Sequence, residues 1–136
     1  MKRKATAVWN GTIKEGDGHL TTQSTILDKT QYSFKSRFEE GKGTNPEELI
    51  AAAHAGCFTM QLTANLSEAN FIAKSLTSDC TVTLEDGTIT SSHITLKAEV
   101  DGVTEEKFAE LVKHAEENCP ISKLLDTDIK VDFELL

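Results

Sequence analysis

Apolar and polar residues alternate in three short stretches near the N-terminus, at about 4–9, 19–25 and 31–37, the last carrying Tyr32, Phe34 and Ser36 in phase. A repeat of two sets such residues on one face of a β-strand. Asn10-Gly11 and Gly16-Asp17-Gly18 separate the first two stretches, and these residue types tolerate the positive φ of tight turns. The N-terminal third therefore predicts an antiparallel meander.

The pattern then changes to a helical one. Asn45 precedes Pro46, and Glu48 follows three residues after the asparagine. This is an N-cap with proline at the first helical position, where a missing N–H costs nothing, and a capping-box carboxylate. The helix runs to about Glu68, and from Leu49 to Ser67 it carries no Asp, Glu, Lys or Arg. His54, Gln61 and Asn65, with several Thr and Ser, make it too polar to cross a bilayer, so it reads as a central helix buried in protein.

A long hairpin follows, with strands at about 74–85 and 88–100 meeting at Glu85-Asp86-Gly87, and with Cys80, Val82 and Leu84 on one face. Phe108, Leu111, Val112 and Ala115 keep the i, i+3, i+4, i+7 spacing of a second helix over 104–118, capped by Thr104. Cys119-Pro120 ends it, since a residue before proline is driven out of the α region, and Pro120 starts a short turn through Leu125. Ile129, Val131, Phe133 and Leu135 alternate with polar residues in a last strand, 128–135. Segregated strands and helices define an α+β fold, and 136 residues suit a single domain over 1–136.

Charge narrows the partners. A formal net charge of -8 that no Lys/Arg cluster locally reverses repels phosphate backbones and anionic lipid, so neither nucleic acid nor a membrane is expected as partner. Met1-Lys2-Arg3-Lys4 leads into polar, alternating residues rather than an apolar signal core, which predicts a cytoplasmic location. Gly41-Lys42-Gly43 lacks the spacing of a phosphate cradle and reads as a flexible hinge.

The 3 cysteines are an odd number in a chain without an export signal, which argues against a disulfide framework and leaves free thiols, metal ligands or redox chemistry. Cys57 lies mid-helix, where a cysteine is ordinarily core; a reactive thiolate there needs a nearby cation. Cys119 stands at a helix break, as candidate N-cap of the following turn with an accessible thiol, which suits a resolving cysteine better than a primary nucleophile. Cys80 is in phase with core residues and receives no role. By itself Arg37 reads as a solvated strand-end residue paired with Glu39 or Glu40, and Glu47 and Glu48 as favourable charges at a helix N-terminus.

Four blocks together say more. Arg37-Phe38-Glu39, Gly43-Thr44-Asn45-Pro46-Glu47-Glu48-Leu49, Ala53-His54-Ala55-Gly56-Cys57-Phe58 and Cys119-Pro120-Ile121-Ser122 resemble the OsmC/Ohr family of peroxidases across essentially the whole chain, Ala53-His54-Ala55 favouring the OsmC branch. The resemblance implies an OsmC-like fold and an intertwined homodimer with active sites at the subunit interface. It implies Cys57 as peroxidatic cysteine, Cys119 as resolving cysteine, Arg37 as the cation for the thiolate and Glu47 as the carboxylate orienting Arg37. It further implies organic hydroperoxides as substrates and an external dithiol, of lipoyl type, as reductant, with no cofactor.

The chemistry is consistent: a guanidinium both stabilises a sulfur anion and donates to a developing alkoxide. Glu47 and Cys57 are ten positions apart, which on a continuous helix is about 15 Å at 1.5 Å per residue. The expectation is that Glu47, and Arg37 with it, reaches Cys57 from the other subunit. Two rival readings remain: a metal site from His54, Cys57, His114 and Cys119, whose spacings match no zinc signature, and a hydrophobic-ligand-binding dimer whose cysteines are incidental. The role of His54 is open, with packing favoured over proton transfer.

Overall fold

The N-terminal alternation becomes β1 (Ala5–Asn10), β2 (Asp17–Thr22) and β3 (Thr30–Tyr32), an antiparallel sheet in that order. The computed structural model describes every residue from Met1 to Leu136, in two units, Met1–Leu49 and Ile50–Leu136. In the first unit the third strand stops early, and a short helix, α1 (Phe34–Phe38), replaces its predicted continuation. The cause is local. Ser33 Oγ accepts from Ser36 N at 3.2 Å while Ser33 N donates to Ser36 Oγ at 2.8 Å, a capping box that turns the chain into a helix.

Gly43 is not a hinge. It has φ +115°, and a Cβ there would meet the Gln31 carbonyl oxygen at 2.4 Å. The next residue donates from Thr44 N to that oxygen at 2.8 Å, so the loop is pinned to β3 through a site only glycine fits.

Helix α2 (Pro46–Glu68) starts as the capping pattern predicts, with Asn45 Oδ1 accepting from Glu48 N at 2.8 Å. The Glu48 carboxylate takes the Thr44 hydroxyl at 2.6 Å. At the other end Asn70 adopts φ +64°, and Phe71 N and Asn70 N donate to the carbonyls of Leu66 and Ser67. These two bonds close a Schellman motif, with asparagine in the left-handed place usually given to glycine. Within this chain α2 buries one face, through His54, Phe58, Leu62, Asn65 and Leu66, while Ala52, Ala53, Gly56 and Met60 are exposed.

The second unit packs that face. β4 (Ala73–Glu85) and β5 (Thr88–Val100) form the predicted hairpin, closed by Asp86 at φ +48° and Gly87 at φ +77°. Two successive positive φ values suit the twist of a tight hairpin. Along β5 every second residue is buried, Ser92, Ile94, Leu96, Ala98 and Val100. α3 (Glu105–Asn118), with Lys107 N donating to Thr104 Oγ1 at 3.1 Å, contributes Phe108, Leu111, Val112 and Ala115 to the same core. Phe108, Leu111 and Val112 are each worth about 1.5–3 kcal/mol when fully buried.

A second short helix, α4 (Pro120–Leu124), leads to β6 (Asp128–Leu135), which pairs with β5 in parallel, giving the order β4-β5-β6. A parallel neighbour requires a crossover, and here α3 and α4 are that crossover. Phe133 of β6 meets Phe108 of α3 edge-on, with ring centres 5.2 Å apart. The fold is α+β, as the pattern predicts, and no helix is long and apolar enough to cross a membrane.

Candidate active site

In the second unit, Cys57 and Cys119 come together from α2 and from the junction of α3 with α4. Cys119 caps both helices, ending α3 and starting α4 as the sequence suggests, but its thiol is fully buried rather than accessible. Phe108, Val112 and Ala115 on α3 draw that junction into the core, and the cysteine goes with it. Its side chain makes no capping bond to α4.

The α4 N-terminus therefore has an N–H free for another partner. The backbone N–H of Ile121 serves the Cys57 sulfur, while the Cys119 thiol also acts on it. Burial pushes the Cys57 thiol up first, the Cys119 side chain pushes it further, and the Ile121 N–H pulls it back. The outcome is a raised pKa, so a thiolate here needs added positive charge.

His54, one turn before Cys57, is fully buried, and neither of its ring nitrogens is free. Nδ1 is 2.6 Å from Ser92 Oγ on β5 and Nε2 is 2.8 Å from Ser122 Oγ on α4. Burial pushes its pKa below the usual imidazole value, favouring the neutral ring. With both nitrogens taken by hydroxyls, His54 has no lone pair to spare for the metal site considered above. Ser92 Oγ also lies 3.3 Å from Cys80 Sγ, so Cys80 joins the edge of this network, half-buried against the core.

The sequence reading missed Ser92, Ser122 and the Ile121 N–H. A signal for the serines was present: Ser92 is in phase with the buried residues of β5, and Ser122 stands three places after Cys119 as His54 stands three before Cys57.

In the first unit, Arg37 at the end of α1 pairs with Glu47 in the first turn of α2, not with Glu39 or Glu40. Nε donates to Oε1 at 3.0 Å and to Oε2 at 3.3 Å, and Nη2 to Oε1 at 2.8 Å. Such a fork fixes the guanidinium plane as well as its position. The guanidinium carbon lies 5.0 Å from the centre of the Phe38 ring. Trp9, Ile13, Tyr32, Phe34 and Phe38 surround Arg37 with a mainly apolar cavity of about 290 Å³.

Comparison with known proteins gives this arrangement a context. Residues 39–134 match the family model described as OsmC-like protein. The chain is 41% identical over 139 aligned positions to a protein of Escherichia coli named peroxiredoxin OsmC, covering 99% of this chain and 97% of that one. The crystal structure of the organic hydroperoxide resistance protein OhrB of Bacillus subtilis superposes with a TM-score of 0.67 at 28% identity, covering 98% of each chain. An OsmC-like protein of Vibrio cholerae shares the fold with a TM-score of 0.76 at 14% identity, over 98% of this chain and 99% of the other. A family model that spans most of the chain, together with a relative this similar along its whole length, establishes that the protein belongs to the OsmC-like family.

Proposed function

We propose that the protein is a two-cysteine thiol peroxidase that reduces organic hydroperoxides to alcohols, residues 1–136 working as one domain of this family. The observation that carries the reading is that Cys57 packs against the core in which Cys119 is buried, so that the Cys119 side chain and the Ile121 N–H both act on the Cys57 thiol. Relatives named peroxiredoxin and organic hydroperoxide resistance protein support it.

In this mechanism the Cys57 thiolate attacks one peroxide oxygen and the O–O bond breaks. The other oxygen leaves with the organic group and takes a proton to become an alcohol. Cys57, oxidised by two electrons, is left as a sulfenic acid. The Cys119 thiol then attacks the Cys57 sulfur, the S–S bond forms, and the sulfenic hydroxyl departs with the thiol proton as water. An external dithiol, such as a lipoyl group, reduces the disulfide and resets both thiols.

Burial alone leaves Cys57 a poor thiolate, so the reaction needs a cation, and Arg37, held by Glu47, is assigned that part. Glu47 and Cys57 lie ten residues apart on α2, or about 15 Å along a helix axis, so the guanidinium is assigned from a second copy of the chain. A homodimer follows from that assignment. The uncharged, exposed face of α2, with Ala52, Ala53, Gly56 and Met60, suits such an association. The apolar cavity beside Arg37 would take the organic group, favouring alkyl over hydrogen peroxide.

The test is a titration of free thiols before and after one equivalent of tert-butyl hydroperoxide. Rapid loss of two thiols per chain, slower with hydrogen peroxide and absent in Cys57→Ser, is expected. Survival of all thiols in the unsubstituted protein refutes the reading.

A further inference from the structure

We infer that His54 is a positioning residue, whose hydrogen bond to Ser122 fixes α4 so that the Ile121 N–H and the Cys119 thiol both address Cys57. The inference rests on the two-cysteine reading for its effect on turnover, though not for its effect on Cys57 itself.

α4 cannot hold its own place. It has five residues and no side-chain cap, and the backbone bonds at its two ends, Lys123 N to the Cys119 carbonyl at 3.1 Å and Leu125 N to the Ile121 carbonyl at 3.0 Å, add little to those of its single turn. A helix of one turn has no independent stability, because nucleation costs more than so few bonds return. Its position must come from contacts with other elements, and Ser122, nearly buried in its middle, supplies a polar one. The His54 Nε2 to Ser122 Oγ contact of 2.8 Å joins it to α2.

The placement of the two residues matters more than the bond alone. His54 and Cys57 are three apart on α2, and therefore neighbours on one face. Ser122 is next to Ile121 and three after Cys119. One hydrogen bond thus ties α4 to the helix that carries Cys57, and with it the two groups of that junction that act on the Cys57 thiol, the Ile121 N–H and the Cys119 side chain. On its far side the imidazole is braced by Ser92 Oγ at 2.6 Å, on the central strand of its sheet. A neutral ring offers one donor and one acceptor, and hydroxyls complement either, so the bridge forms in either tautomer.

If the bond is lost, α4 is free to shift by a fraction of its own turn. The Ile121 N–H then serves the thiolate less well, and Cys119 meets the Cys57 sulfenic acid less often. Both effects are local to the cysteines, and a residue with a packing role alone would not produce them.

The experiment uses Ser122→Ala, which deletes the hydroxyl while leaving His54 and its packing in place. Ser78→Ala serves as control, because it removes another hydroxyl contact of α2, Thr59 Oγ1 to Ser78 Oγ at 2.7 Å, without touching α4. The first readout is the pH profile of iodoacetamide alkylation at Cys57, followed by peptide mass, which involves no peroxide. Ser122→Ala should move the profile to higher pH, whereas Ser78→Ala and Ser122→Thr should keep it. The second is the rate of disulfide formation after a pulse of tert-butyl hydroperoxide, expected to fall about three- to tenfold in Ser122→Ala, as loss of one ordinary hydrogen bond implies. Sulfinic acid at Cys57 should accumulate in proportion.

An alkylation profile and a disulfide rate both unchanged in folded Ser122→Ala would overturn the role of His54 while leaving the peroxidase reading intact. If the unsubstituted protein forms no disulfide under peroxide, the peroxidase reading falls, and the alkylation profile alone still decides whether the bond from His54 to Ser122 governs Cys57.

Discussion

Arg37 spends both Nε and Nη2 on one carboxylate, which leaves Nη1 as the guanidinium nitrogen without a bond to Glu47. A donor held in this way acts on a developing charge without first being reoriented. Arg37→Met should therefore lower kcat/KM for tert-butyl hydroperoxide by about 10²-fold, the usual effect of deleting one preorganised donor. Glu47→Gln should cost less, about tenfold, since the guanidinium survives but loses its charged anchor. Steady-state kinetics with excess dithiol measures both, and equal activity in all three proteins would remove Arg37 from the site. His54 gives a second prediction at this scale. Burial lowers its pKa from 6.5, so below that value the unfolded chain binds more protons than the native one. Stability from this residue is complete above pH 6.5 and is lost as pH falls through the native pKa. Melting temperature should begin to drop below about pH 6.5. Asp132, held down by hydrogen bonds from Lys130 and then His93, adds its loss only below its ordinary value of 3.8, so the two losses begin at different pH.

At the scale of elements, capping explains most of what forms and where it stops. Thr104→Ala should destabilise the protein by about 1 kcal/mol in urea titrations without changing the cysteine chemistry, because the α3 cap serves the helix end and not the site. Asn45-Pro46 and Thr104 declare their helices in sequence, and Glu85-Asp86-Gly87 declares its hairpin, because caps and tight turns draw on residues a few places apart. α1 escaped notice for a related reason: Tyr32, Phe34 and Ser36 alternate like a strand, and the pair that overrides them, Ser33 with Ser36, carries serine where the usual box has glutamate. The parallel direction of β6 was not legible, since alternation reports which face is buried and not which neighbour a strand takes. The four motif blocks named Cys57, Cys119, Arg37 and Glu47. The serines that hold His54 come from residues 38 and 68 positions away, a separation no local pattern encodes.

For the molecule as a whole, net charge bears on association. Two chains of -8 each repel, so a homodimer must gain its stability from apolar contact and should tighten as salt rises toward about 0.15 M, where screening reaches about 8 Å. Met60, exposed on the uncharged face of α2, is the test position. Met60→Glu should give a monomer in sedimentation equilibrium and lose peroxidase activity with it. A fully active monomer would place Arg37 and Cys57 in the same chain's site.

The position of Cys119 in the crossover has a further result for the catalytic cycle. A bond from Cys57 to Cys119 would enclose the hairpin and the whole of α3 in a covalent ring. Closing a ring of about sixty residues restricts the unfolded chain by about 4 kcal/mol. Each turnover would then lace the second unit shut, and each visit of the dithiol would unlace it. Between peroxide and reductant the protein would wait in its sturdiest form, the spent enzyme outlasting the fresh one under heat or protease until reduction returns it to work.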